Sequence, residues 1–308
     1  MEFTHYSVLL TESVEKLNIK PDGIYVDATT GGGGHSSLIL SKLTTGHLYC
    51  FDQDSYALKR SEERLSKISN SFTLIKSNFA NIKEELNSRG VYGIDGIVYD
   101  LGVSSFQLDM VERGFSYRED APLDMRMDSD QSLSAYEIVN SYSYADLVNI
   151  LFRYGDEPNA KKIANAICKA RENAPIKTTL ELVEVIKSAL PQKVLRQKGH
   201  PAKLTFQALR IAVNDELMVL ERSLNAALDL LNSDGVCSVI TFQPSEDKIV
   251  KHIFKERSTV DIPLGLPVAN VPEAPYEMVT RKPILPSDNE LSENHRSHSA
   301  KLRVLRKR

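Results

Sequence analysis

The sequence predicts a doubly wound α/β sheet interrupted by an inserted helical block. Three observations carry this. Short β-prone runs end in a carboxylate at Asp27, Asp52 and Asp100, with helix-length segments between them. From about Gln107 to Ala208 the alternation stops and only helical patterns remain. It resumes with the strong β run Val236 to Phe242. Strands separated by helices of this length make a parallel sheet covered on both faces.

In chain order, Ile24 to Val26 is the first strand, and a glycine loop then leads into a helix over Ser36 to Lys42. Leu48 to Phe51 is the second strand, followed by a charged amphipathic helix over Ala57 to Ile68. Phe72 to Ile75 and Ile94 to Tyr99 are the third and fourth. In the helical block the spacing predicts helices at Tyr136 to Val139, Ala145 to Leu151, Ala160 to Glu172 and Thr179 to Leu190. Thr178 is the start signal of the last of these. Phe206 to Leu231 reads as one long helix closed by Ser233-Asp234-Gly235. The simplest organisation is a sheet domain of residues 1–106 and 209–308 with a helical domain, 107–208, inserted after the fourth strand.

Composition narrows the class. At 42% hydrophobic and 26% charged residues the chain reads as an ordinary folded protein. No apolar run approaches the roughly 18 residues of a membrane span. The N-terminus lacks the basic-then-apolar pattern of a signal peptide, so a cytoplasmic location is expected. Cys50, Cys168 and Cys237 are scattered and read as buried small hydrophobes. No His/Cys/carboxylate cluster has metal-ligand spacing, so no metal is expected. The net charge of −3 does not advertise a nucleic-acid binder. Its distribution does: Lys187 to Arg210 carries six Lys/Arg and no acid, and His295 to Arg308 another six and no acid. Two basic patches suggest a polyanion that docks locally, against the plainer reading of solvated faces.

The strongest local signal is Val26-Asp27-Ala28-Thr29-Thr30-Gly31-Gly32-Gly33-Gly34-His35. A strand ends in a carboxylate and a glycine turn opens a helix, at the sheet edge where α/β folds bind ligands. It is neither a G-x-G-x-x-G fingerprint nor a P-loop, since no Gly-Lys-Ser/Thr follows. An acid before a glycine turn suits a ligand with a cationic amino-acid end, and S-adenosylmethionine is such a ligand. Asp52, 25 residues on, is placed to accept the ribose hydroxyls of an adenosine, or else to cap the next helix, for which Asp54 is better sited. Asn78-Phe79 ends the third strand, where an aromatic or amide can flank an adenine. Asp100-Leu101-Gly102-Val103-Ser104-Ser105 should face the methyl donor and its acceptor. An acceptor such as Asp100 localises an exocyclic amine's lone pair by taking its hydrogen bond. The plainer reading is a capping Asp with two turn serines. Arg113 to Tyr117 and Pro122 to Asp128 mix aromatics, arginines and acids. They read either as a surface that stacks an unpaired base or as a packed connector.

Together these motifs resemble the ribosomal RNA small subunit methyltransferase H family, also called the MraW family. The resemblance runs nearly end to end. It takes in His5-x-x-Val8-Leu9-Leu10-x-Glu12, the Asp27 to His35 loop, Asp52-Gln53-Asp54, Asn78-Phe79, Asp100 to Asp109, Arg113 to Tyr117 and Leu123 to Asp128. It continues through His200-Pro201-Ala202, Phe206 to Leu217 and Arg296 to Arg303. The resemblance implies a class I methyltransferase, Rossmann-like sheet with an inserted RNA-recognition domain. It also implies S-adenosylmethionine as cofactor and N4-methylation of a decoding-region cytidine in small-subunit rRNA, acting on the rRNA or its particle. It places the cofactor against Asp27, Gly33, Gly34 and His35, with Asp52 at the ribose and Phe79, Asp100 and Gln107 completing the site. Asp100, Ser104, Ser105 and Gln243 are the candidate catalytic residues. One departure stands out: where the family reads F-H-S-L-E-D-R, this chain has Phe242-Gln243-Pro244-Ser245-Glu246-Asp247-Lys248. The segment Ser258 to Pro272 is also short for the family. The altered loop keeps open a paralogue acting on another RNA amine, or a non-catalytic cofactor-binding assembly factor. Monomer and homodimer are equally compatible with the sequence.

Overall fold

The computed structural model describes residues 7–260 and 273–308. His5, in the N-terminal motif, and most of the short segment before Pro272 lie outside the described residues. The chain forms two compact units, one of residues up to Gly102 and from Leu217 onward, the other Val103–Glu216. The breaks fall a few residues outside those read from the sequence, 106/107 and 208/209.

The first unit begins with α1 (Leu10–Lys16), β1 (Ile24–Asp27), α2 (Gly34–Leu40), β2 (His47–Asp52), α3 (Ser55–Leu65), β3 (Phe72–Lys76), α4 (Ile82–Asn87) and β4 (Ile94–Asp100). The second holds α5 (Ser105–Asp109), α6 (Ala135–Ser141), α7 (Tyr144–Gly155), α8 (Ala160–Asn173), α9 (Thr179–Ala189), α10 (Gln192–Leu195) and α11 (Lys203–Asn214). The chain then completes the first unit with α12 (Glu216–Leu230), β5 (Leu231–Thr241), α13 (Pro244–Arg257), β6 (Tyr276–Met278), α14 (Asp288–Glu293) and β7 (Lys301–Lys307). No helix among the described residues is long and apolar enough to cross a membrane.

The seven strands lie in the order β3-β2-β1-β4-β5-β7-β6. The first five are parallel, and β7 is antiparallel to both its neighbours. Successive strand residues feed opposite cores, as a pleat of period two requires. Val26, Phe51, Tyr99 and Val239 pack with Leu224 and Phe254 on one face. Tyr25, Cys50, Val98 and Ile240 pack with Val14 and Ile39 on the other. The Tyr99 hydroxyl shares a hydrogen bond with Ser223 Oγ at 2.8 Å, which satisfies both polar groups within the core. Cys50 and Cys237 are buried, and burial pushes both thiols up; Cys168 is half-buried. The strand order turns back on itself between β1 and β4. That switch point opens a crevice at the carboxyl ends of the strands.

Three expectations need correction, and a fourth reading that the sequence left open is decided. The long helix from Phe206 is two helices, because Asp215 adopts the left-handed conformation (φ 47°) that Asp tolerates better than most residues. Arg210 closes the break with a bidentate pair to Glu216 at 2.7 and 2.8 Å. Second, β5 starts at Leu231 rather than Val236. Ser233-Asp234-Gly235 is absorbed as an irregularity in the strand, with Asp234 at φ 64° and the register shifting opposite Ile94–Gly96. Third, much of the basic tail is a strand. Leu302, Val304 and Leu305 of β7 are fully buried. Arg303, 7% exposed, donates to Asp247 at 2.7 and 3.1 Å, Arg306 pairs with Glu277, and Arg308 pairs with Glu273 and Glu277. These cations are spent within the unit. Fourth, Arg113 to Asp128 is a packed connector rather than a stacking surface. Phe115, Leu123, Met125 and Met127 are core residues of the inserted unit. Arg113 donates to the Arg126 and Met127 carbonyls, and Arg126 is paired with Asp124.

The inserted unit is helical around its own core, with Thr178 capping α9 reciprocally with Glu181 as its sequence signal predicts. Arg303→Ala would leave Asp247 with only the longer contact to the half-exposed Lys301, at 3.6 Å. It is expected to remove about 3 kcal/mol of stability, as loss of one partner of a buried ion pair does. The check is the denaturant midpoint against wild type.

Candidate active site

The crevice is built from the ends of β1, β2 and β4. Asp27 ends β1 and is 1% exposed. Its carboxylate accepts from Ser36 Oγ at 2.6 Å and from the Thr29 amide at 3.1 Å, and burial pushes it up to about 6. Asp27 therefore fastens the glycine turn to the start of α2. Thr29 Oγ1 in turn accepts from the Asp100 amide at 2.6 Å, tying the turn to the end of β4. Gly31 (φ 50°) and Gly33 (φ 74°) hold left-handed conformations, which is why the turn is glycine-rich. A Cβ on Gly34 would lie 1.8 Å from Ser7 Oγ.

Asp52, at the end of β2, is half-buried. It accepts from the Gly31 amide at 2.8 Å and the Asp54 amide at 2.9 Å. Asp54 is the cap of α3, accepting from the Tyr56 amide. Of the two readings of Asp52, helix capping thus belongs to its neighbour. Burial, with the Asp54 and Asp27 charges adding to it, pushes Asp52 up to about 6. Beside it Asn78 donates to Gln53 at 3.1 Å and caps the short turn at Phe79, whose ring packs edge-on against Tyr99 at 5.8 Å.

Asp100 ends β4, and its side chain keeps 26% exposure. Its Oδ1 is buried with no hydrogen-bond partner among the described residues. Burial first, then the charges of Asp27, Glu246 and Glu290, push its carboxyl up to about 8. His35 lies beside it, 4% exposed, with Nδ1 at 3.7 Å from Asp100 Oδ2. Its other nitrogen lies 3.2 Å from the Val8 carbonyl, which can only accept, so Nε2 carries the proton. Burial holds the ring down to about 4, so it is neutral at physiological pH and offers Asp100 no compensating charge.

After β5, Gln243 is the N-cap of α13, its side chain and that of Glu246 forming a capping box. Pro244 occupies the first turn of α13, where a missing N–H costs nothing. Glu246 accepts from the Phe242 and Gln243 amides at 2.8 and 3.1 Å. Ser104 and Gln107 belong to the inserted unit and hold each other at the start of α5. Gln107 Oε1 accepts from the Ser104 amide at 3.1 Å, and Ser104 Oγ from the Gln107 amide at 3.3 Å. The side chain of Ser105 lies outside what the structure describes. Sequence reasoning missed Thr29, Ser36, Glu246 and Glu290. Thr29 and Glu246 stand inside motifs already singled out, and Ser36 directly follows one. Glu290 reaches the site from the far tail, bonded to the Leu9 amide and Ser297, with no local signal.

These geometries fit a cationic, adenosine-bearing ligand. The crevice is crowded with carboxylates, and among the described residues no cation compensates Asp100 and its Oδ1 is left without a donor.

The MraW methylase family model matches residues 2–308. The chain belongs to that family. A relative from Exiguobacterium sibiricum, named ribosomal RNA small subunit methyltransferase H, is 58% identical over 309 residues, spanning 99% of this chain and 98% of its own length. Among solved structures, an rRNA methylase from Streptococcus thermophilus is similar over 99% of this chain and 98% of its own, at 12% identity and a TM-score of 0.45.

A carboxyl raised in the folded state binds protons on folding. Its contribution to stability is therefore greatest at low pH and is lost as pH rises from the unfolded value, 3.8, towards about 8. Asp100→Asn removes that loss. Its melting temperature relative to wild type is expected to climb between about pH 4 and pH 8 and to level off above that, measured by thermal denaturation. A difference that does not change with pH would contradict the assignment.

Proposed function

We propose that this MraW-family methylase transfers a methyl group from S-adenosylmethionine to the N4 amine of a cytidine in the decoding region of small-subunit rRNA. The observation that carries the reading is Asp100. It ends the strand at the switch point, with a buried acceptor lacking a donor, in a crevice short of positive charge. The name of the Exiguobacterium relative supports the substrate class.

Asp52 would hold the ribose hydroxyls, Gly33 and Gly34 would let the backbone come close, and Phe79 would flank the adenine. For Gln107 the cofactor role is the one the family resemblance implies. Asp27 acts one step back, by fixing the glycine turn. When bound, S-adenosylmethionine supplies a methyl carbon on a sulfonium: the amine nitrogen bonds that carbon, the carbon–sulfur bond breaks to a neutral thioether, and one amine proton leaves. Asp100 accepts an amine N–H, localises the lone pair and stands where that proton must go. Its raised carboxyl is matched to this task, since a base works best near the ambient pH. His35, itself neutral, adds no positive charge beside that carboxyl.

The inserted unit is the proposed RNA-recognition element, and the compartment that fits it is the cytoplasm. Lys193, Arg196 and Lys198 are exposed and carry no ion pair among the described residues. Beside them Tyr117 stacks on His200 at 4.3 Å. The basic tail is replaced in this role by the insertion alone.

The direct test is labelled methyl transfer to small subunits from a strain lacking its own enzyme of this family. N4-methylcytidine is expected, lost on Asp100→Ala. Label on another nucleoside points to a different amine, and cofactor binding without transfer points to an assembly factor. Reversing Lys193, Arg196 and Lys198 to Glu is expected to raise KM for subunits ~10-fold or more with cofactor affinity unchanged. It should also flatten the log–log salt dependence by about 2, at ~0.7 per lost single-strand phosphate contact.

A further inference from the structure

Leu9 precedes α1 in the left-handed conformation (φ 48°, ψ 36°), which a bulky side chain rarely adopts, and it is fully buried. Contacts on both sides of one peptide group hold it there. The Leu9 amide donates to Glu290 Oε1 at 3.0 Å, and the same oxygen accepts from Ser297 Oγ at 2.6 Å. The Val8 carbonyl accepts from His35 Nε2 at 3.2 Å. The C=O and N–H of a trans peptide point in opposite directions, so one rigid unit bridges Glu290 on α14 to His35 on α2.

A peptide carbonyl can only accept. The bridge therefore fixes the proton of the neutral ring on Nε2 and leaves the lone pair on Nδ1. Nδ1 lies 3.7 Å from Asp100 Oδ2, longer than a formed hydrogen bond. A lone pair there repels an ionised carboxylate and can accept from a protonated one. The other tautomer would do the reverse: it would donate to the ionised carboxylate and hold it charged. Glu290 adds to the effect twice. Its carboxylate polarises the Leu9 amide, which strengthens the Val8 carbonyl as an acceptor, and its charge also acts on Asp100 directly.

We propose that Glu290 is a positioning residue for Asp100: through the Val8–Leu9 peptide it holds His35 in the Nε2–H tautomer and so favours the proton-bound state of the carboxyl at the end of β4. The proposal rests on the reading of Asp100 as the acceptor of the amine proton. His35 passes no proton on; its lone pair selects the state of Asp100 to which it can bond. The amine proton ends on the Asp100 carboxyl as the nitrogen–carbon bond forms and the carbon–sulfur bond breaks. The other charged groups that act on Asp100 among the described residues, Asp27 at the end of β1 and Glu246 on α13, are also acids, so they work in the same direction as Glu290.

The experiment uses the full-length protein with Glu290→Gln, which keeps an acceptor for the Leu9 amide and removes the charge, and Glu290→Met, which keeps the length and removes both. The His35 tautomer is read from its ring nitrogen shifts by NMR, assigned against His35→Gln. The Asp100 titration is read from its carboxyl carbon shift. Single-turnover methyl transfer to small subunits lacking the modification is followed over the neutral to alkaline range. The wild type is expected to show the Nε2–H ring. Glu290→Gln should keep that tautomer and move both the Asp100 titration and the rising limb of the rate profile ~0.5–1 pH unit lower, because a like charge has been removed. Glu290→Met should mix the tautomers, move the limb at least as far and lower the plateau rate ~10-fold. A merely structural role would lower stability and leave the limb in place. An Nδ1–H ring in the wild type overturns the proposal. So does a limb that Glu290→Gln leaves unmoved, or a Glu290→Met ring that stays wholly Nε2–H. If Glu290→Met does not fold, Glu290→Gln decides alone. A wild type that makes no N4-methylcytidine while His35 and Asp100 respond as expected defeats the functional reading and upholds the bridge. An active wild type whose limb ignores Glu290→Gln defeats this proposal alone.

Discussion

Three carboxylates, Asp27, Asp52 and Asp100, stand at the carboxyl ends of three adjacent parallel strands, and burial raises all three. They are met in different ways. Asp27 is closed off by Ser36 and the Thr29 amide, Asp52 by two backbone amides with part of its surface left open, and Asp100 by nothing on Oδ1. The gradient from satisfied to unsatisfied runs from the residue that shapes the turn to the residue proposed to accept the proton. A neutral His35 beside Asp100 preserves that imbalance, where a protonated ring would relieve it. The crevice therefore favours a ligand that arrives with positive charge and hydrogen-bond donors. It holds less tightly what leaves after that charge is gone.

The same logic explains why the far edge of the sheet is not where the basic tail led. In β7 the alternation Leu302, Arg303, Val304 puts a guanidinium inside the sheet layer, and Asp247 on α13 answers it. Burial alone would raise Asp247, but Arg303 and Lys301 together hold it below the usual carboxylate range. That pair also anchors the start of α13, the helix whose first turn carries Gln243 and Glu246. The strand β7 thereby supports the loop at the carboxyl end of β5.

The inserted unit shows the converse, cations that find no acid. Its long stretch without acids leaves Lys193, Arg196 and Lys198 outward, while the arginines of the connector are consumed by backbone carbonyls and Asp124. Charge count alone did not separate the two cases. What separates them is whether apolar neighbours such as Met125 and Met127 draw the segment into a core.

The sequence by itself determined the parallel sheet, the helical insertion and the glycine turn, because these rest on local periodicity, β-branched runs and the steric freedom of glycine. It also placed Asp27, Asp52 and Asp100 at strand ends, since each closes an apolar run. Tertiary structure alone decided what those acids do. Which carboxylate is met and which is left open depends on Ser36, Thr29 and Glu246 arriving from other elements, and Glu290 comes from nearly two hundred residues beyond Asp100. It likewise decided that the tail is a strand and that the helix after Phe206 breaks at Asp215. A buried Arg needs its distant Asp, and a left-handed Asp leaves no periodic signal. Long-range partners set the electrostatics, and a one-dimensional pattern cannot carry them.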